Sequence, residues 1–271
     1  MRQPQGAFFA VVPKQHGAWT VLIASFIIGS SVGARFSLEV ILLLVSVVAA
    51  FLGRGALGMC LSLSPAERRT QGLSAWIMLY SGIFLLSGAW LVLWYKLWLL
   101  GLLGIAGMGL AAFSLSLEKG KKDATLYGQI MNILGLSLIA PAAQYCASGS
   151  HSLKTLGVWL VCIFFFLGSV FHVRFLLRRR LEAGGEFVER LAAGSVSIAF
   201  HLSALLAVMV LSKLKVIPLF APLAFVPVTL KALWPIIRRN RNPLPVKLIG
   251  RLELIHTLVF LVITVVVFAD R

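Results

Sequence analysis

A chain of 271 residues that is 59% hydrophobic and only 13% charged, with a mean hydropathy of +0.95, does not have the composition of a soluble globular protein. Its formal net charge of +16 would point to nucleic acid in a soluble protein. Here the basic residues fall mostly between long apolar runs, so they report membrane topology and no nucleic-acid partner is expected.

A helix needs about 20 apolar residues to cross about 30 Å of hydrocarbon. Runs of that kind predict nine spans in chain order, at 16–34, 37–60, 73–95, 97–117, 126–147, 154–177, 190–212, 215–235 and 248–269. No small-residue cleavage pattern follows the first, which is read as a retained span. Short connections predict antiparallel neighbours. The expected fold is therefore an all-α polytopic membrane protein of about nine transmembrane helices, with residues 1–271 forming one transmembrane domain.

Counting Lys and Arg by side gives 18 on the side of the N-terminus, six on the other, and Lys231 inside the eighth span. That bias predicts a cytoplasmic N-terminus and an outside C-terminus. Gly101, Gly104, Gly107 and Gly109 repeat at the small-residue spacing that lets helix backbones approach, and they predict tight packing of the fourth span. Pro141, Pro218, Pro222 and Pro227 predict kinks, because each lacks the N–H of the helical ladder. Cys60, Cys146 and Cys162 have no CxxC spacing, so they are read as small hydrophobes, with no metal site expected.

The first span opens with "PKQHGAW", residues 13–19. Pro13 suits a helix start, and Lys14, Gln15 and His16 either anchor the helix in the headgroups or line the mouth of a pocket. Ionisable groups within spans are costly and usually face the bundle interior, so each is a site candidate. These are His16, Arg54, His172, Arg174, Arg178, His201, Lys231, Arg251, Glu253 and His256, with Asn132 and Gln144 as neutral additions. Arg54, Arg174, Arg178, Arg251 and His16 all belong to the N-terminal side of the bundle. Arg174 and Arg178 share one helical face, and Lys247 and Arg251 repeat that spacing on another. If those faces turn inward, their cations can clamp phosphate or carboxylate; if outward, they snorkel to lipid headgroups. Glu253 and His256 share a face of the ninth span, where a structural ion pair with a residue such as Arg251 is the simpler reading and a proton relay the sharper one. The histidines admit a b-type haem on paper, but an interhelical hydrogen bond from each is the better expectation.

"PKQHGAW", a first helix closed by Gly29, "FLGSVFHVRFLLRRR", "SIAFH" and "PVKLIGRLEL" together resemble, in order, the signature segments of the YwiC-like family of bacterial membrane proteins. The resemblance runs from residue 13 to about 268 and implies a multi-pass protein of the bacterial cytoplasmic membrane, without an established activity. In that family the sixth-span stretch reads as a basic residue followed four positions later by an Arg-Glu-Arg run. Arg174 and Arg178 fit, but Arg179 stands where the acid is expected. More distantly, the helix number, the proline-led first helix and the placement of polar motifs are similar to the UbiA-type intramembrane prenyltransferases, which implies a UbiA-like bundle. Those enzymes hold magnesium with DxxxD-type motifs. The two aspartates here, Asp123 and Asp270, are in the wrong places, and arginines stand where the acids would be. Glu182 and Glu186 have a four-residue spacing, but within the loop-like "EAGGE".

The expectation is therefore a basic cytoplasmic-side pocket that binds an anionic-headed amphiphile, such as an isoprenoid or lipid phosphate, without a metal or other cofactor. His16 would move the proton. Lys14, Gln15, Arg54, Asn132, His172, Arg174, Arg178, His201, Arg251, Glu253 and His256 would bind the substrate. A small-anion carrier and a non-catalytic assembly or partner subunit are the alternatives, so membrane lipid, a small anion and a protein partner all stay open.

Overall fold

The computed structural model describes residues 16–33, 37–64, 66, 68, 72–119, 125–181, 187–237 and 244–269. Among them the chain forms ten α-helices: α1 (His16–Gly33), α2 (Leu38–Ser62), α3 (Leu73–Leu93), α4 (Trp98–Lys119), α5 (Leu126–Ser137), α6 (Ile139–Ser148), α7 (Leu153–Leu181), α8 (Phe187–Lys213), α9 (Val226–Ile237) and α10 (Val246–Ala269). A 3-10 turn, Ala221–Phe225, leads into α9. Seven segments are long and apolar enough to cross a membrane: α2, α3, α4, the α5–α6 pair, α7, α8 and α10. With the shorter apolar helices at 17–33 and 221–237 they make nine, in the predicted order. The protein is an all-α, multi-pass membrane protein.

Local chemistry explains the interruptions. α5 starts where the Thr125 hydroxyl accepts the Gly128 N–H at 3.2 Å, a conventional N-cap. It stops at Leu138 because Pro141 cannot donate back to the carbonyl of Ser137, and α6 resumes beyond the break. Gly149 closes α6 with a φ of +67°, a left-handed conformation that glycine adopts without penalty. The predicted span at 215–235 is shorter in the structure, since Pro218 and Pro222 hold its first part in a turn and a 3-10 segment and the α-helix starts only at Val226. All seven tryptophans lie within two turns of a helix end. Trp90, Trp94 and Trp98 are exposed around the α3–α4 turn, as expected of rings at a membrane interface.

α1 is the structural centre, packed against α5, α6, α7 and α10. Small residues bring α1 and α6 together. A methyl group on Gly29 would stand 2.1 Å from the Ala140 carbonyl oxygen, and one on Gly33 would stand 2.3 Å from the Ala147 side chain. On one side of α1 a core of Val158, Val161, Phe165 and Phe166 from α7 meets Val208, Phe225 and Phe260. The Phe165 and Phe260 rings stack at 3.7 Å. On the other side Leu22 and Phe26 meet Val40, Leu43 and Phe51 of α2, Leu91 of α3 and Leu100 of α4.

The glycines of α4 do not pack as predicted. No atom lies within 4 Å of a methyl group placed on Gly104, Gly107 or Gly109, and one on Gly101 would touch only Val92. Gly101, Gly104 and Gly107 instead line an open space inside the bundle. The spacing that signals helix contact signals here that no side chain fills the wall.

Candidate functional site

That space is a cavity of about 1590 Å³ walled by α1, α2, α3, α4, the α5–α6 pair, α7 and α10. It exceeds the roughly 300–1,000 Å³ of ordinary small-molecule pockets. Its lining is graded. On α4 the wall is apolar from Leu100 to Ala112 and then reaches Ser114, and on α3 it is apolar from Phe84 to Leu93. The distance along α4 from Leu100 to Ser114 is about 21 Å at 1.5 Å per residue. Most polar lining groups cluster at the end where α1 begins: Arg54, Ser114, Gln129, Asn132, Lys247, Arg251 and Glu253. Ser46 and Thr257 also line it, each giving its hydroxyl to a backbone carbonyl.

Two other helices hold Arg54 of α2. Its Nη2 donates to Ser114 Oγ on α4 at 2.6 Å and lies 3.4 Å from Asn132 Oδ1 on α5, while the Ser114 hydroxyl donates to the same Asn132 oxygen at 2.5 Å. Arg54 is eight residues from the end of α2, about 12 Å into the helix, where a guanidinium within a span needs acceptors. Lys247 and Arg251, one turn apart on α10, complete a wall with three cations.

The carboxylate on that wall is neutralised from behind. Glu253 accepts Lys231 Nζ of α9 on both oxygens, at 3.0 and 2.9 Å, and also accepts the hydroxyl of Ser169 on α7. The Lys231 and Glu253 side chains are 8% and 15% exposed. This pair replaces the expected one with Arg251, which is two residues from Glu253 and so projects from a different face of the helix. Ser114, Gln129 and Ser169 are polar groups that sequence reasoning did not single out, and Lys231 is a candidate to which it gave no partner. The signal for Lys231 is plain in retrospect, since a lone cation and a lone acid in neighbouring spans each need a partner.

The predicted residues fall into four groups. Arg54, Asn132, Arg251 and Glu253 line the cavity. Arg174 and Arg178 are exposed on α7 and do not line it, although Arg174 Nη1 donates to Gln129 Oε1 at 3.1 Å and so touches a lining residue. In the expected basic ring they stand outside the described lining, with Arg174 reaching it through Gln129. His172, His201 and His256 lie behind the α7–α10 wall. His172 and His201 are 3% and 4% exposed, with ring centres 6.3 Å apart. The expected interhelical hydrogen bonds are replaced by bonds within helices: His201 Nδ1 donates to the Ser197 carbonyl and His256 Nδ1 to the Leu252 carbonyl, both at 2.7 Å. Lys14, Gln15, Glu182, Glu186 and the Arg179 and His16 side chains lie outside the described residues, but Gly17, next to His16, lines the cavity. Among the described residues no group of three or more His, Cys, Asp or Glu is placed to hold a metal ion.

Residues 12–144 match the family model described as YwiC-like protein. The match spans just under half of the chain and ends within α6. No curated protein and no solved structure matches the chain. The YwiC-like segment carries Arg54, Ser114, Gln129 and Asn132, one side of the polar end. Ser169, Lys247, Arg251 and Glu253, the facing side, come from the part beyond it.

Proposed function

We propose that this YwiC-like membrane protein binds an amphiphile with an anionic head, such as an isoprenoid or lipid phosphate, in the cavity beside α1. The observation that carries the reading is the segregation of the lining: three cations at one end and about 20 Å of apolar wall leading away from them. The head would sit between Arg54 of α2 and Lys247 and Arg251 of α10. Guanidinium forks match phosphate oxygens in both charge and geometry. The tail would lie along α3 and α4, where Gly104 and Gly107 leave room for it.

A metal bridge to phosphate needs carboxylates free to coordinate the ion. Glu253 is committed to Lys231, so the head would be held directly by cations. His16 belongs to the same proposal as the proton donor or acceptor at the mouth, because its neighbour Gly17 lines the cavity. The 18 to six distribution of basic residues supports a cytoplasmic position for the polar end. A small-anion carrier would need polar groups along the whole path, whereas the far end of the described lining is apolar.

Native mass spectrometry of protein purified in mild detergent tests the reading. A retained anionic amphiphile, lost from an Arg54→Ala, Arg251→Ala double variant that stays folded, is the expected result. An empty wild type, or equal retention by the double variant, removes the assignment.

A further inference from the structure

The cavity reading leaves the most expensive polar groups of the protein unused. Behind Glu253 lies a cluster from four helices: Ser169 and His172 on α7, His201 on α8, Lys231 on α9, and His256 beside Glu253 on α10. Ser169 and His172 are three residues apart, hence on one face of α7, and Ser169 bonds the Glu253 carboxylate. The His172 ring therefore stands one turn from that contact. His201 packs against α7 where Gly168 has no side chain; a methyl group there would be 3.1 Å from His201 Nε2.

Two polar atoms in this cluster have no hydrogen-bond partner among the described residues, Nδ1 of His172 and Oγ of Ser197, and both residues are at least 97% buried. A buried polar group left unpaired demands an explanation. His201 gives its Nδ1 proton to the Ser197 carbonyl, so its Nε2 carries a lone pair. The cluster thus holds a carboxylate on the cavity wall, a cation behind it, and two ring nitrogens able to accept a proton. Chains of acid and histidine side chains within a membrane are the usual material of proton sites.

We infer that Glu253, Lys231, His172 and His201 form a proton-binding centre coupled to the cavity, which takes up a proton when an anionic head enters. The inference rests on the cavity reading for its ligand. Arg54, Lys247 and Arg251 face the site from the cavity side, and Lys231 and His256 flank Glu253 on the other. An anion brought to this wall adds negative charge where water is scarce and raises the proton affinity of its neighbours. The proton enters from the cavity and rests on the Glu253 carboxylate or on Nδ1 of His172, while Lys231 stays cationic. Uptake on binding means that affinity falls as pH rises, by roughly tenfold per pH unit where a single proton is coupled.

The test uses the full chain in nanodiscs and lysophosphatidylglycerol, whose phosphodiester keeps a constant charge through the neutral range. Calorimetry in two buffers of different protonation enthalpy, between about pH 5 and 8, reads binding and proton exchange separately. Wild type should take up about one proton per ligand. The double variant Glu253→Gln, Lys231→Met, which removes both charges without leaving either one buried alone, should bind with little uptake, and His172→Gln should reduce it. Binding by wild type without proton exchange overturns the inference and leaves the cavity reading standing. Full uptake by the double variant also overturns it. No binding at any pH removes both.

Discussion

The two halves of the bundle that flank α1 use opposite solutions to the same problem. α3 and α4 are thinly packed, with only 11% of the residues in their most apolar stretches buried, against 56% for α7, while α8 and α10 bury 28% and 22%. The α2–α4 half encloses empty space and holds its cation, Arg54, with neutral acceptors. Behind the cavity wall the α7–α10 half packs aromatic rings and holds its buried cation, Lys231, with a carboxylate, while Lys247 and Arg251 of α10 line the cavity. A polar group facing open space can be solvated by whatever enters, whereas one facing packed side chains must carry its own counter-charge. The difference places permissiveness on one side of α1 and rigid electrostatics on the other.

Breaking the pair on the packed side should have the largest effect. Lys231→Met leaves Glu253 without its cation and should cost about 3–5 kcal/mol of stability, seen as a fall in the thermal unfolding midpoint in detergent. Adding Glu253→Gln should recover most of that loss, and failure to recover would show that the packing of the lysine stem matters more than its charge. On the open side, Arg54→Ala should weaken retention of an anionic amphiphile by about 1.5–3 kcal/mol, the worth of hydrogen bonds to a charged group, and native mass spectrometry reads it directly. Gly29→Ala, at the contact of α1 with α6, should lower stability by about 1–3 kcal/mol through overpacking. The smallest effect sharpens the comparison most. Gly107→Ala faces nothing and should stay within about 0.5 kcal/mol of wild type. A large loss there would mean that the α4 wall is in contact with another surface.

Much of the scaffold could be read from residue order alone. Apolar run length located every span but the eighth within a few residues, and Pro141 announced the break between α5 and α6. The eighth span was misjudged because composition cannot tell an apolar helix from an apolar turn held by Pro218 and Pro222. Glycine spacing misled for a related reason: a missing side chain permits contact but does not create it, so α1 uses its glycines to touch α6 while α4 leaves its own open. At the site, Arg54 was legible as a costly cation near one end of its span, and Asn132 as a neutral polar group within another. The place of Arg174 and Arg178 outside the lining was not, since helical spacing fixes which residues share a face but not where that face points. Lys231 shows the converse, because its carboxylate partner could be sought by charge balance before any distance was known.

The tethering of Arg54 has one further consequence. An arginine free in solution samples many rotamers, and freezing it around a ligand typically costs about 0.5–1.5 kcal/mol. Ser114 and Asn132 have already fixed this guanidinium from two other helices during folding, so an arriving anion meets a donor that has little entropy left to lose. Replacing Ser114 by alanine would loosen that tether while keeping the charge. The change would then appear as a less favourable binding entropy at nearly constant electrostatic attraction.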